Sequence, residues 1–213
     1  WQPEVGPLPE GYVPTNPERP PPGDEEEALV QYRAAVAHID AGVARILAAR
    51  RGRDTLVVYT ADHGLALGQG GIWGKGNATR PQNLFDTSIR IPMILSRPGH
   101  LPAAARSDRF FDLCDLYALL RQAAGLEGAE RDGLRRPGRL PGAEKPLQVC
   151  EYGPLARALT GGDSLEVRAP VRPTGPLGAA LARFYADLDC PPPWDWQPSP
   201  DPCFNTAQAW TLC

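Results

Sequence analysis

Apolar side chains recur after residue 24 at the spacing of a single helix face. Neighbouring members of the set are three or four residues apart, which is the periodicity of an amphipathic helix. Asp24 can cap this helix, Glu27 stands three residues later as in a capping box, and the acidic run between them suits the positive helix end. The apolar positions are Leu29, Tyr32, Val36, Ile39, Val43 and Ile46. The pattern predicts a helix whose apolar face supports the strand that follows it.

Three short apolar segments predict strands. Residues 56–59 form a continuous apolar run, which is typical of a strand buried on both faces, although periodicity alone leaves a buried helix open. Residues 89–96 predict a second strand, in which Pro92 indicates an edge or a bulge because proline cannot donate a ladder hydrogen bond. Residues 147–152 predict a third strand. Strands that alternate with helices indicate an α/β fold.

Two later helices are predicted from similar signals. Asp112 is a suitable N-cap for a helix that buries an apolar face and ends near Gly125. The apolar side chains of that face are Leu113, Leu116, Tyr117 and Leu120. Residues 179–188 predict another helix, but no strand is predicted beyond residue 153.

These elements divide the chain into three parts. Residues 1–23 are rich in proline and predict an extended segment. Residues 24–153 carry the predicted helices and strands and form a partial α/β domain. Residues 154–213 are interpreted as a divergent C-terminal region that is partly loop. A length of 213 residues is sufficient for one domain with a sizeable core.

Composition and charge exclude some classes of function. A net charge of −3 gives no support for a nucleic-acid surface, and no run of eighteen apolar residues predicts a membrane span. We therefore expect neither nucleic acid nor membrane as a partner. Five cysteines allow a bridge among Cys190, Cys203 and Cys213, but an odd, irregular set is not a disulfide framework. The cellular compartment is not indicated.

The candidate chemistry lies directly after the first predicted strand. Asp62 and His63 follow this strand, and ligands in α/β proteins gather beyond the carboxyl ends of strands. A carboxylate oxygen and an imidazole nitrogen can bind one divalent cation. Twelve residues after His63, Lys75 stands in a loop rich in glycine and is one of only two lysines in the chain. A metal and anion site is one interpretation; a turn-forming aspartate and a structural histidine are the alternative.

The other histidines and several charged residues are given structural roles. His38 lies on the first predicted helix, and His100 is expected to face solvent in a turn. Asp86, Arg90 and Arg97 are interpreted as solvated or paired charges. None of these side chains is predicted to act in catalysis.

Several motifs resemble the second half of sulfatases, a family of the alkaline-phosphatase-like superfamily. Residues 60–64 are Thr-Ala-Asp-His-Gly, residues 73–76 are Trp-Gly-Lys-Gly, and residues 88–93 are Ser-Ile-Arg-Ile-Pro-Met. The family has Ser/Thr-Asp-His/Asn-Gly after a strand, then a glycine-bearing loop that ends in Trp-Gly-Lys, then a strand with Arg-Val-Pro. The helices around these motifs are also similar, and the resemblance covers roughly residues 25–152.

The resemblance implies a fold, a reaction and a role for each candidate residue. The fold would be an incomplete alkaline-phosphatase-like α/β/α sandwich with a mostly parallel sheet. Asp62 and His63 would be ligands of a divalent metal, with calcium the ion that the family suggests, and Lys75 would bind the sulfate. The reaction implied is hydrolysis of a small-molecule or glycan sulfate ester, in which positive charge neutralises the sulfuryl oxygens.

The family's nucleophile is absent from these residues. It is a formylglycine made from the first residue of a Cys/Ser-x-Pro/Ala-x-Arg motif, and none of the five cysteines is followed by that pattern. Since the chain also begins at Trp1, we expect it to be the C-terminal part of a longer protein, with the formylglycine in the upstream part. The chain alone should then be inactive. A phosphoester or phosphonate hydrolase of the same superfamily, or a non-catalytic α/β remnant domain, are the alternatives.

Overall fold

The chain divides into two compact units, Trp1–Ala105 and Arg106–Cys213. The computed structural model describes residues 8–15, 25–50, 52–126, 146–152, 154–188 and 190–195. The helices, strands, contacts and buried side chains counted in both units are those of these residues. The unit boundary falls inside the predicted domain of residues 24–153, whose limits stay a prediction.

The first unit contains two helices and six short strands. The helices are α1, Glu25–Ala49, and α2, Asp86–Ile89. The strands are β1, Val13–Pro14; β2, Val57–Thr60; β3, Ala66–Leu67; β4, Trp73–Gly74; β5, Thr79–Arg80; and β6, Met93–Ser96. A 3₁₀ turn, Gln69–Gly71, separates β3 from β4. The partly buried side chains of Leu8 and Phe85 pack against a core of Ala66, Ile72 and Ala78.

Helix α1 confirms the predicted element but not its predicted packing. Three glutamates fill its first turn, as the sequence suggested, while Asp24 lies outside the described residues. None of its residues is buried, and Tyr32, Ile39 and Ile46 of the apolar face are 41%, 53% and 72% exposed. The prediction that this face supports the next strand is therefore wrong for the described part of the chain.

Among the described residues, strand β2 pairs only with β6, in an antiparallel register that sets Val57 opposite Ser96 and Thr60 opposite Met93. Tyr59 is 38% exposed, so the predicted burial of this strand on both faces is also wrong. All strand pairs among the described residues are antiparallel. The α/β class holds.

The strand predicted for residues 89–96 begins four residues late. Residues 86–89 form helix α2 instead, since the amides of Ser88 and Ile89 donate to the carbonyl of Phe85 and the amide of Arg90 to that of Asp86. Pro92 has no amide hydrogen and cannot extend the ladder, so pairing starts at Met93.

An ion pair closes the far end of the β2–β6 pair. The guanidinium of Arg97 donates through Nε and Nη2 to the two oxygens of Asp54, at 2.8 and 2.6 Å. These hydrogen bonds hold the pKa of the Asp54 carboxyl below its usual range. His100 lies 3.4 Å from the same carboxylate, and Arg90 pairs with Asp86 at 3.6 Å. The interpretation of Asp86, Arg90 and Arg97 as paired charges is confirmed.

The second unit contains two helices and a three-stranded antiparallel sheet. The helices are α3, Leu113–Ala123, and α4, Gly175–Asp187. The strands are β7, Gln148–Tyr152; β8, Leu155–Leu159; and β9, Ser164–Arg168, in the order β7-β8-β9. A 3₁₀ turn, Pro193–Asp195, follows α4. The core consists of Val149, Ala156, Ala158, Val167, Leu181, Tyr185 and Trp194.

Helix α3 begins with the predicted cap. Asp112 accepts hydrogen bonds from the amides of Cys114 and Asp115, and Asp115 accepts one from the amide of Asp112 in return. The helix ends before Gly125, whose φ of 69° suits glycine. The predicted burial of its apolar face is only partly correct, because Tyr117 and Leu120 are 40% and 45% exposed.

The sequence failed to predict β8 and β9. They flank Gly161-Gly162, a dipeptide that favours a tight hairpin connection, and Thr160 and Asp163 close this turn by hydrogen bonds. Helix α4 starts four residues earlier than predicted because Pro176 is tolerated in a first turn. Cys203 and Cys213 lie outside the described residues, whereas Cys190 is free. No helix in the described ranges has the length and hydropathy needed to span a membrane.

Candidate functional site

The turn after β2 carries the two predicted metal ligands. Asp62 points into solvent with 86% of its side chain exposed, and its Oδ1 accepts a hydrogen bond from the amide of His63 at 3.0 Å. The next residue, Gly64, anchors the turn because its amide donates to the carbonyl of Ser88 in α2 at 2.8 Å. The two side chains therefore project from a turn whose backbone is fixed.

Only glycine fits at position 64. A Cβ built there would lie 2.1 Å from the carbonyl oxygen of Thr87 and 2.9 Å from its carbonyl carbon. The backbone of the turn thus lies directly against the backbone of α2. The glycine of the Asp-His-Gly motif therefore allows the turn to approach the backbone of α2 closely.

The imidazole of His63 has a defined orientation. Its Nδ1 lies 2.9 Å from the carbonyl oxygen of Gly64, which can only accept, so Nδ1 carries the hydrogen. In the neutral ring Nε2 then offers a lone pair, and Lys75 Nζ lies 2.8 Å from this atom. Asp62 Oδ2 is 3.6 Å from the same nitrogen. The three predicted side chains therefore converge at His63 Nε2.

Lys75 reaches this point from the glycine-rich loop. The loop folds as a short hairpin in which Ala66 pairs with Gly74 and Leu67 with Trp73. Gly74 has a φ of 130°, and a Cβ there would be 3.0 Å from Cβ of Ala78, so the chain needs glycine just before Lys75. Lys75 itself is exposed.

A buried polar cluster joins the two loops of the site. It consists of Thr79, Asn83 and Ser88, which are 1%, 0% and 6% exposed. Ser88 is the residue whose carbonyl holds Gly64, and Asn83 bonds to the carbonyl of Gly76, the neighbour of Lys75. The sequence did not point to these residues, because single polar residues in an irregular segment carry no periodic signal.

The donor set fits part of a metal site. Asp62 and His63 offer an exposed carboxylate oxygen and a ring nitrogen with a lone pair, which suit a divalent cation. Within the described ranges, no group of three or more His, Cys, Asp or Glu side chains could hold a metal ion. Further ligands would have to come from elsewhere.

The other two histidines belong to other elements of the first unit. His38 lies on α1, and His100, whose side chain is 54% exposed in the turn after β6, pairs with Asp54. In the second unit, the hydroxyl of Tyr185 donates to Oε2 of Glu151 at 2.7 Å. Burial raises the pKa of the Glu151 carboxyl, and it also raises the pKa of the Tyr185 phenol.

Comparison with known proteins matches most of the first unit to one family. The family model described as Sulfatase matches residues 4–126. Iduronate 2-sulfatase of Mus musculus is 31% identical and that of Homo sapiens 30% identical, each over 63% of this chain and 27% of the relative. N-acetylgalactosamine-6-sulfatase of Sus scrofa is 34% identical over 62% of this chain and 28% of the relative. The chain thus spans only about a quarter of these relatives. No solved structure matches it.

Proposed function

Because the chain belongs to the sulfatase family, we propose that it supplies part of the metal and sulfate site of a protein that hydrolyses sulfuric esters. One observation carries the proposal. Lys75 is twelve residues away from His63 in the sequence, yet its Nζ and the Oδ2 of Asp62 both lie within 3.6 Å of His63 Nε2. A solvated turn would not require this convergence.

In this proposal Asp62 and His63 hold a divalent cation, and Lys75 binds the sulfate. Calcium is the ion we propose on the basis of the family. Such a cation, when bound, supplies positive charge that polarises the ester and stabilises developing negative charge. The ammonium of Lys75 contributes a compact charge with three donors, which suits a tetrahedral anion.

The contact between Lys75 and His63 bears on both roles. A single lone pair at Nε2 cannot accept from Lys75 and ligate a cation at the same time. When His63 acts as a ligand, Lys75 must leave it, and all three of its N–H donors become available to sulfate oxygens. The exposed position of Lys75 allows this movement without disturbing a packed side chain.

We propose that the nucleophile, a formylglycine, comes from outside these 213 residues. None of the five cysteines in the chain has the motif for that modification. The complete protein would also form the α/β/α sandwich with a mostly parallel sheet, of which this chain is a part. The exposed apolar side chains of α1, among them Tyr32, Ile39 and Ile46, would be available for packing in such an arrangement.

The substrate class follows only in outline. The names of two relatives refer to sulfate on sugars, iduronate and N-acetylgalactosamine. We therefore propose a small-molecule or glycan sulfate ester as the substrate.

The test is turnover by the longest natural protein that contains this chain. We expect hydrolysis of 4-nitrophenyl sulfate in preference to 4-nitrophenyl phosphate. Lys75→Ala should lower kcat/KM by about a hundredfold or more, as removal of one charge-stabilising donor does in other active sites. Arg106→Ala, which removes a 90% exposed cation, serves as the control and should leave turnover unchanged.

Preferential phosphate turnover would move the assignment to a phosphoester hydrolase of the same superfamily. If that protein hydrolysed neither ester, the chain would be better described as a non-catalytic remnant. Wild-type activity in Lys75→Ala would contradict the role given to Lys75.

A further inference from the structure

We propose that Asn83 is the positioning residue of this site, and that its buried amide holds the Lys75 loop against the turn that carries His63. Asn83 lies between β5 and α2 and has no exposed surface. It contacts neither the cation nor the sulfate of the proposed function. Its role would be to set the distance between the two loops.

The amide of Asn83 is fully used. Its Nδ2 donates to Thr79 Oγ1 at 2.8 Å and faces the carbonyl of Gly76 at 3.4 Å. Its Oδ1 accepts from the amide of Phe85 and from the hydroxyl of Ser88, each at 3.2 Å. Phe85 N–H can only donate and the Gly76 carbonyl can only accept, so these partners fix which end of the amide is oxygen.

One side of the amide controls the position of Lys75. Besides the side-chain contact, the backbone amide of Asn83 donates to the carbonyl of Gly76 at 2.9 Å. Gly76 follows Lys75 directly, and the amide of Ala78 closes the same turn on the carbonyl of Lys75 at 2.7 Å. The backbone at Lys75 is therefore held through Asn83.

The other side of the amide controls the position of His63. Ser88 donates its hydroxyl to Asn83 Oδ1, and its carbonyl accepts the amide of Gly64 at 2.8 Å. Gly64 follows His63, whose ring rests on the Gly64 carbonyl. Hydrogen bonds and the backbone of Gly76 and Ser88 thus connect Lys75 through Asn83 to His63.

The side chain at position 83 must offer both a donor and an acceptor in a small buried space, which aspartate and leucine do not. Aspartate retains the acceptor but sets a carboxylate oxygen against the Gly76 carbonyl, with no donor to offer it. A leucine would leave the buried groups of Thr79 and Ser88 without their Asn83 partner, and unpaired buried groups are costly. A misplacement of about 1 Å is enough to impair catalysis. The functional meaning of Asn83 rests on the proposed function, whereas its structural effect does not.

The test is NMR spectroscopy of the isotope-labelled 213-residue chain, which requires no turnover. We expect a nuclear Overhauser contact between the His63 ring and the Lys75 side chain in the wild type. In Asn83→Asp this contact should disappear, and hydrogen exchange of the Gly64 amide should accelerate about tenfold, as loss of one buried hydrogen bond predicts. Amides of the β7-β8-β9 sheet serve as the internal reference.

Asn77→Asp is the matched control, because it makes the same substitution at an exposed position of the same loop. Thr79→Val is the second variant and keeps the proposal testable if Asn83→Asp does not fold. Valine removes the acceptor of Asn83 Nδ2 at nearly constant shape, and Thr79 has no hydrogen bond to Gly64 or Ser88. Faster Gly64 exchange in Thr79→Val supports a connection through Asn83, the hydrogen-bond partner that Thr79 shares with Ser88. Valine also removes the hydrogen bond from Thr79 Oγ1 to the Pro81 carbonyl.

Wild-type exchange at Gly64, together with an unchanged His63–Lys75 contact, in either folded variant would overturn the proposal. If the NMR changes occur but the complete protein does not hydrolyse sulfate esters, Asn83 still sets the distance between the two loops. Only the functional assignment of Lys75 and His63 would then be lost.

Discussion

At the scale of single residues, Gly64 offers the most direct test of the turn that carries Asp62 and His63. Gly64→Ala would place a Cβ 2.1 Å from the carbonyl oxygen of Thr87, so the turn and α2 must move apart. We expect the free energy of unfolding to fall by about 2 kcal/mol, the usual cost of forcing an extra carbon into a packed contact. Chemical denaturation monitored by circular dichroism measures the change.

Gly42→Ala is the matched control for this substitution. Gly42 lies within α1, and no atom lies within 4 Å of a Cβ built there. Alanine in an exposed helix interior should stabilise by up to about 1 kcal/mol. Equal effects of the two substitutions would contradict the close approach at Gly64.

Glu151 gives a prediction about pH. Burial raises the pKa of its carboxyl in the folded chain, so the folded state binds a proton more tightly than the unfolded state does. Stability is then lost as pH rises through the interval between the usual glutamate pKa and the raised one. Glu151→Gln keeps an oxygen for the Tyr185 hydroxyl without the charge. It should raise the thermal unfolding midpoint at neutral pH.

The difference between Glu151→Gln and wild type should vanish at a pH below the ordinary glutamate pKa of about 4.3, where both side chains are neutral. Glu10→Gln, which removes an exposed carboxylate, controls for net charge. A constant difference from acid to neutral pH would show that burial does not destabilise the Glu151 carboxylate.

The residues of the candidate site differed in how visible they were from the sequence. Asp62, His63 and Lys75 stood out because their chemistry is unusual for an apolar strand end and a glycine-rich loop. Asn83 did not, because an amide in an irregular segment is ordinary and its burial arises only when the two loops close. Local pattern therefore indicates which groups can react, but not which groups hold them in place.

At the scale of elements, the N-cap of α3 is the clearest target. Asp112 is 6% exposed. Its carboxylate accepts hydrogen bonds from the backbone amides of Cys114 and Asp115 and from Nε2 of Gln148. Asp112→Ala removes all three acceptor contacts. We expect a loss of about 2 kcal/mol, the upper range for a helix cap, in urea denaturation.

Asp108→Ala is the control for the cap, because the Asp108 side chain is 94% exposed and lies before α3. Its effect should be within about 0.5 kcal/mol of zero, as for most surface substitutions. A cap variant no less stable than this control would show that the helix start is held by other contacts.

Elements with long, repeated sequence patterns were predicted correctly, and some elements with short patterns were not. The 25-residue helix α1 and the capped helix α3 were predicted because several turns repeat one signal. Strand β8 was missed because Ala156 and Ala158 occupy two of its buried positions, and alanine has little strand preference. The first four residues of the strand predicted at 89–96 do not form strand, because a helical turn extends to Ile89 and Pro92 cannot donate to the ladder.

At the scale of the whole molecule, the 213-residue chain should not hydrolyse sulfate esters by itself. It contributes the proposed ligands and the lysine but no cysteine in the motif for formylglycine. We expect no release of 4-nitrophenol from 4-nitrophenyl sulfate above a Lys75→Ala background, with or without added calcium. Turnover that depends on Lys75 would show that another group in the chain serves as nucleophile.

The residues of the site belong to one continuous stretch of the chain. Asp62, His63, Lys75 and Asn83 all lie between β2 and β6, whose antiparallel pairing brings Thr60 opposite Met93. The site is thus one excursion of the chain, closed at its base by a single strand pair and by the Arg97–Asp54 fork. Lengthening such a loop costs little entropy, since closure depends only logarithmically on its size. Residues 54–97 could therefore be transplanted only together with residues 8–15, because β1 pairs with β5 and Leu8 packs against the core of the loop.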